Sequence, residues 1–170
     1  VQSVADASAL AAENQVASFY VASQVCDSAV LTMSLTGIAT AGVGAVALCV
    51  PGGAGVGEKL LEAALKIMHA RNSFADKATK GLNELQKMLP FFAAAQAMGV
   101  AQANSTQADY FALAVLLPVE GEEIVIEPVD GSAAVEELQS RQDEIEQAAK
   151  EAEEAAARAN EHKRRAFMAD

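Results

Sequence analysis

The chain has no tryptophan and only eight aromatic residues among 170. A core poor in rings has to be filled by close backbone approach, which favours helices packed on helices. Only four prolines interrupt it, so long elements are allowed. Two cysteines, Cys26 and Cys49, stand without a second pair or a neighbouring histidine, which excludes the usual zinc-ligand spacings. Acidic residues outnumber basic ones 23 to 12, a formal charge of −11. Nucleic-acid affinity comes largely from neutralising phosphates with Lys and Arg, so that class of partner is excluded, and so is a general attraction to anionic headgroups. Charge is absent altogether from residues 28–57.

What is present is apolar and small: hydrophobic residues make up 52%, much of it alanine. Residues 2–36 contain no glycine or proline, and Val4, Leu10, Ala11, Val16, Phe19, Val25 and Val30 recur at intervals of three, four and their sums. That spacing predicts a helix with one buried stripe. Residues 29–50, "AVLTMSLTGIATAGVGAVALCV", have the length and apolarity of a bilayer-spanning helix. Gly37, Gly42 and Gly44 with Thr32, Thr36 and Thr40 place small residues on several of its faces. Three readings stay open: the crowded centre of a soluble bundle, a membrane-contacting or inserting segment, and a strand or loop.

Five of the seven residues 51–57 are proline or glycine, which predicts a turn. A second helix is then expected over about residues 58–104. Leu61, Met68, Ala75, Leu82 and Leu89 recur every seven residues, and Ala78, Leu85 and Phe92 fill the alternate seam. Pro90 is expected to kink it. Residues 110–131 hold two short apolar or alternating runs separated by Glu120, Gly121 and Glu122, which reads as a small β-hairpin or extended excursion. Asp130 and Ser132 offer caps for a last helix over about residues 132–166. Its seams are Leu138, Ile145, Ala152, Ala159 and Ala166, and Val135, Ala149 and Ala156. Pairs such as Glu146 with Lys150 and Glu154 with Arg158 fit a solvated face.

The glycine-rich turn, "PGGAGVGEKL", has the order of parts of a phosphate-binding loop. Counting from Gly52 places Gly57 correctly, but Glu58 takes the lysine position, Lys59 falls one residue late, and Leu60 stands where a hydroxyl should bind Mg²⁺. A glycine-rich helix connection is the better reading. His69 and His162 lie far apart beside basic neighbours and read as surface residues. Glu120 to Glu123 lack the interleaved Asp/Asn pattern of a calcium loop. Cys26 and Cys49 read as two small buried residues or as a disulfide. A straight helix would separate them by about 35 Å, so a bridge needs the chain to fold back near residues 37–44.

The stretch "VADASALAAENQVASFY", residues 4–20, resembles the segment after the N-terminal membrane anchor in TadE/TadG-like proteins of Flp/Tad pilus assembly. Ala5, Asp6, Ala7, Ala9, Leu10, Ala11 and Ala12 fit its "ADAAALAAA" pattern, with Ser8 in place of one alanine. The resemblance implies an anchor just before Val1, a domain outside the cytoplasmic membrane, and a cysteine pair more prone to oxidation. It carries over no catalytic residue.

The expectation is therefore an all-α, elongated antiparallel helical bundle or coiled coil with a small β-hairpin. Its parts are a helical hairpin over residues 1–104, an extended segment over 105–131 and an alanine-rich helix over 132–170, forming one domain. Its packing seam comprises Leu61, Met68, Leu82, Leu85, Leu89, Phe92, Leu138 and Ile145. The functional expectation is a non-enzymatic envelope protein acting through helical surfaces, a pilus-assembly accessory in the sharpest form. Protein partners or further copies through the coiled coil are expected, with no cofactor, metal or nucleic acid. The alternatives are a membrane-inserting, translocator-like protein using residues 29–50, and a cytoplasmic coiled-coil scaffold.

Overall fold

A computed structural model describes residues 2–105, 109–116, 124–126 and 130–169. The protein is all-α, with helices α1 (Gln2–Leu48), α2 (Ala54–Ala103), α3 (Ser132–Ser140) and α4 (Gln142–Ala169). Two compact units divide it. Unit 1 takes Val1–Val30 with Ser73–Glu127, and unit 2 takes Leu31–Asn72 with Pro128–Asp170. Both units thus draw on α1 and α2, whereas the expected division followed chain order.

α1 is longer than its glycine-free stretch, because Gly37, Gly42 and Gly44 are carried within it. α2 begins four residues before the expected start and runs through Pro90 without ending. The last helix is not continuous: it is broken at Arg141, whose N–H donates to Glu137 O at 3.1 Å. The Ser140 hydroxyl donates to the same Glu137 carbonyl, a local competition that disturbs helices.

In unit 2 the core is Ala41, Leu48, Leu61, Ala64, Met68 and Val135, with Leu138 and Ile145 packed against it. Unit 1 has two clusters. One joins Val30, Ala75, Leu82 and Ile126, with Phe19 and Cys26 alongside, and the other is the alanine contact of Ala12 with Ala93 and Ala97.

The described residues contain no strand and so do not support the β-hairpin, whose Glu120–Gly121–Glu122 turn lies outside them. The alternation that suggested it is real but serves a different end. Ala112, Ala114 and Leu116 pack inward while Phe111, Leu113 and Val115 are exposed. Further on, Ile124 and Ile126 pack inward and Val125 is exposed. Side chains of α2 take the hydrogen-bonding place of a partner strand. Asn83 Nδ2 donates to Ile124 O and Asn83 Oδ1 accepts from Ile124 N–H, both at 3.1 Å, and Thr79 Oγ1 accepts from Ile126 N–H at 3.4 Å.

Candidate functional site

Within unit 2, α1 is arranged small side in and bulky side out. Ser34, Gly37, Ala41, Gly44 and Leu48 face inward at successive turns. The opposite face exposes Leu31, Leu35, Ile38, Val43 and Val46, the last two at 60% and 67%. A helix at the surface of a water-soluble domain has the reverse pattern. α1 is long and apolar enough to cross a membrane, and only 28% of its most apolar 18-residue window is buried. Within the single chain, this stretch of α1 is therefore not enclosed as the centre of a bundle.

Two hydroxyls of this stretch are satisfied by their own helix. Thr36 Oγ1 donates to Thr32 O at 2.8 Å and Thr40 Oγ1 to Thr36 O at 2.7 Å. Such back-bonding lets a threonine enter an apolar setting with its donor paired. The surface is thus one of hydrocarbon with internally paired polar groups. On α2, the same unit carries exposed Glu58, Lys59, Glu62, Lys66 and His69, with Glu62 and Lys66 paired at 2.6 Å. Unit 2 therefore has an apolar face on α1 and charged, exposed residues on α2 and α4.

The glycine-rich turn is a close helix crossing. Gly52 adopts φ +78°, the left-handed conformation that reverses the chain. A Cβ on Gly57 would sit 2.6 Å from Leu48 Cγ and 2.8 Å from Gly44 O, so the helices meet there at backbone distance. Three amides of the turn are already used: Gly53 N–H donates to Val50 O at 2.8 Å, and Val56 and Gly57 N–H donate to Gly53 O at 3.0 and 2.9 Å.

Sequence reasoning missed Arg71, which it noted only as a basic neighbour of His69. Arg71 is buried, at the position on α2 that continues the stripe of Leu61, Ala64 and Met68. Its Nε donates to Ser34 Oγ at 3.1 Å and its Nη1 to Asn72 Oδ1 at 2.8 Å, with Asp130 Oδ2 3.8 Å away. Burying a guanidinium is costly unless its donors are met, so this set disfavours other pairings of α1 with α2. A slip by one turn would set Arg71 against Gly37 or Ile38, neither of which offers an acceptor side chain. The signal in the sequence was a charge on the heptad seam.

The N-cap of α3 is Gly131, without a side-chain cap, rather than Asp130 or Ser132; Asp130 stands just before it, and its Oδ1 accepts from Ser132 N–H at 2.9 Å. Hydrogen bonds from the Ser132 backbone and side chain hold its carboxyl below the ordinary value of 3.8, with the Arg71 charge adding to them against a small burial penalty. A depressed folded pKa stabilises the fold fully above the unfolded value and loses that effect as pH falls through the folded one. Asp130→Asn should therefore lower the melting temperature at neutral pH, and the difference should shrink as pH falls below 3.8 through the folded value, which a series of thermal melts at acid pH will check.

Of the expected seam, Leu61, Met68 and Leu82 are buried, Leu89, Leu138 and Ile145 are half-buried, and Leu85 and Phe92 are exposed. The alternate seam is thus corrected: beyond Leu82 burial moves to Ala93, Ala97 and Ala101. Seven residues fall short of two full turns, so a heptad stripe drifts by about 20° per repeat round a straight helix, and the eleven residues from Leu82 to Ala93 bring burial back into line. In α4, residues 151–161 are all exposed, including the seam alanines Ala152, Ala156 and Ala159. The expected Glu146–Lys150 and Glu154–Arg158 pairs are formed, at 2.9 and 3.8 Å.

Cys26 and Cys49 are free thiols, and α1 does not fold back between residues 37 and 44 as their bridge required. His69 is exposed. Among the described residues no cluster of His, Cys, Asp and Glu could hold a metal ion. No family model, curated protein or solved structure matches the chain.

Proposed function

We propose that this is a non-enzymatic interaction protein of the cell envelope that rests on hydrocarbon through the outer face of α1 in unit 2. The observation that carries the reading is the inverted pattern of α1, with Ser34, Gly37, Ala41 and Gly44 inside and Leu35, Val43 and Val46 outside. A contiguous exposed apolar face marks an interaction surface. Its counterpart is the acyl region at a membrane surface, because the face is uncharged and the Thr36 and Thr40 donors are paired within the helix. The charged side of α2 then stays in water, as in helices lying in the interfacial plane. The resemblance of residues 4–20 to TadE/TadG-like proteins supports a place outside the cytoplasmic membrane and, in its sharpest form, a pilus-assembly accessory role.

A second reading, insertion of residues 29–50 across the bilayer, is favoured by the length and apolarity of α1. Against it stand the charges of α2, each costing about 2.5–3.5 kcal/mol or more at the centre of a bilayer. Insertion therefore requires α1 to part from α2. The chain has no tryptophan, so Val43→Trp is a unique depth reporter for quenching by brominated lipids: shallow quenching fits resting on the surface, and quenching at the bilayer centre fits insertion.

Membrane contact itself is tested by flotation with phosphatidylcholine vesicles. The wild type should float and the double variant Val43→Asp with Val46→Asp should stay in the dense fraction with unchanged helical circular dichroism. Equal flotation of the two proteins, or none by the wild type, sinks the proposal.

A further inference from the structure

We propose that unit 1 contains a binding site for an uncharged, chain-like amphiphile of the class of medium-chain alcohols. A cavity of about 480 Å³ lies between the first turns of α1, the end of α2 and the extended residues 110–116. That volume falls within the range of about 300–1,000 Å³ typical of small-molecule pockets. Alanines at positions 12, 97 and 101 of its wall leave the space that larger side chains would fill.

The cavity wall includes one orphan polar atom. Ser8 is 3% exposed, and its Oγ has no hydrogen-bond partner among the described residues. Elsewhere in the same unit, Ser18 Oγ donates to Asn14 O at 2.7 Å and Ser28 Oγ to Gln24 O at 2.8 Å. Ser8 makes no such bond and lines the cavity, so its donor and lone pairs remain available there. A buried hydroxyl left unsatisfied is costly, and a polar atom of a ligand would satisfy it.

The headgroup class follows from charge. Among the described residues that wall the cavity, Glu13 is the only charged one, and it is exposed. A carboxylate headgroup would meet Glu13 with no wall cation to offset it, whereas an alcohol can donate to Ser8 Oγ or accept from it. The rest of the ligand is hydrocarbon, matched by the apolar walls at Val4, Val16 and Leu116.

The test uses the full chain, with N-phenyl-1-naphthylamine as the fluorescent occupant and dodecanol as competitor. Binding should be saturable, with dodecanol displacing the probe at lower concentration than dodecanoate at neutral pH. Ser8→Ala should weaken dodecanol about fivefold, the worth of one neutral hydrogen bond, while raising the melting temperature of the unliganded protein. Ala9 is exposed on the cavity wall, so Ala9→Phe should occlude the cavity and abolish probe binding with helical content unchanged. The Val43→Asp, Val46→Asp variant should bind dodecanol like the wild type, which keeps this inference separate from the membrane reading of unit 2. Absence of saturable binding, tighter binding of dodecanoate, or wild-type affinity in both the Ser8 and Ala9 variants overturns it.

Discussion

Leu82→Asp is expected to lower the urea midpoint strongly at 25 °C, while Leu85→Asp, three residues along the same helix, should unfold like the wild type. Leu82 is 4% exposed among Val30, Ala75 and Ile126, with Phe19, Cys26, Ala78 and Ile124 around them. No cation belongs to that cluster, so an aspartate there must pay for desolvation or take up a proton. Either route removes the leucine contacts as well, and the combined loss should exceed about 4 kcal/mol. That is a large part of the roughly 5–15 kcal/mol that holds a domain together. Leu85 is 47% exposed, so its carboxylate would remain in water and the change should stay within about 0.5 kcal/mol. Urea unfolding followed by circular dichroism measures both, and similar midpoints for the two variants would show that unit 1 does not pack through Leu82.

The glycine-rich turn yields the second large contrast. Gly57→Ala would place a methyl 2.6 Å from Leu48 Cγ and 2.8 Å from the Gly44 carbonyl oxygen. The leucine can shift, but the carbonyl belongs to the α1 backbone and moves only with the helix. Overpacking of this kind costs about 1–3 kcal/mol. Gly55→Ala, two residues earlier in α2, meets nothing within 4 Å, and alanine there should stabilise by about 0.4–1 kcal/mol through the unfolded chain. The same chemical change is thus expected to have opposite signs at two neighbouring helical positions, readable as a fall and a rise in melting temperature. A Gly57→Ala variant that melts at or above the wild-type temperature would mean that α1 and α2 do not meet at Gly44.

Much of this fold was legible because helix formation is local. Scarcity of proline and aromatics and abundance of alanine pointed to helices, and both long helices are present. The seven-residue spacing located burial at Leu61, Met68, Ala75 and Leu82, but it could not be extended past Leu82. The alternate seam put Leu85 and Phe92 inside, where the structure has Ala93, Ala97 and Ala101. Near Ile124 the period-two pattern was read as a small hairpin or an extended excursion, and it could not show the pairing with α2, because Asn83 lies 41 residues away and nothing local to Ile124 announces it.

The candidate surface shows the same division. That residues 28–57 carry no charge is a property of the sequence, but whether that stretch is core or surface depends on which side of α1 meets α2. Composition by itself determined that the protein is helical, acidic and built on small residues, since propensity and net charge are sums over the chain. Only tertiary structure decided that α1 turns Ser34, Gly37, Ala41, Gly44 and Leu48 inward and Leu31, Leu35, Val43 and Val46 outward. Close approach of α1 to α2 at Gly44 and Gly57 needs small residues between them, and the pairing of Arg71 with Ser34 sets which small residues those are.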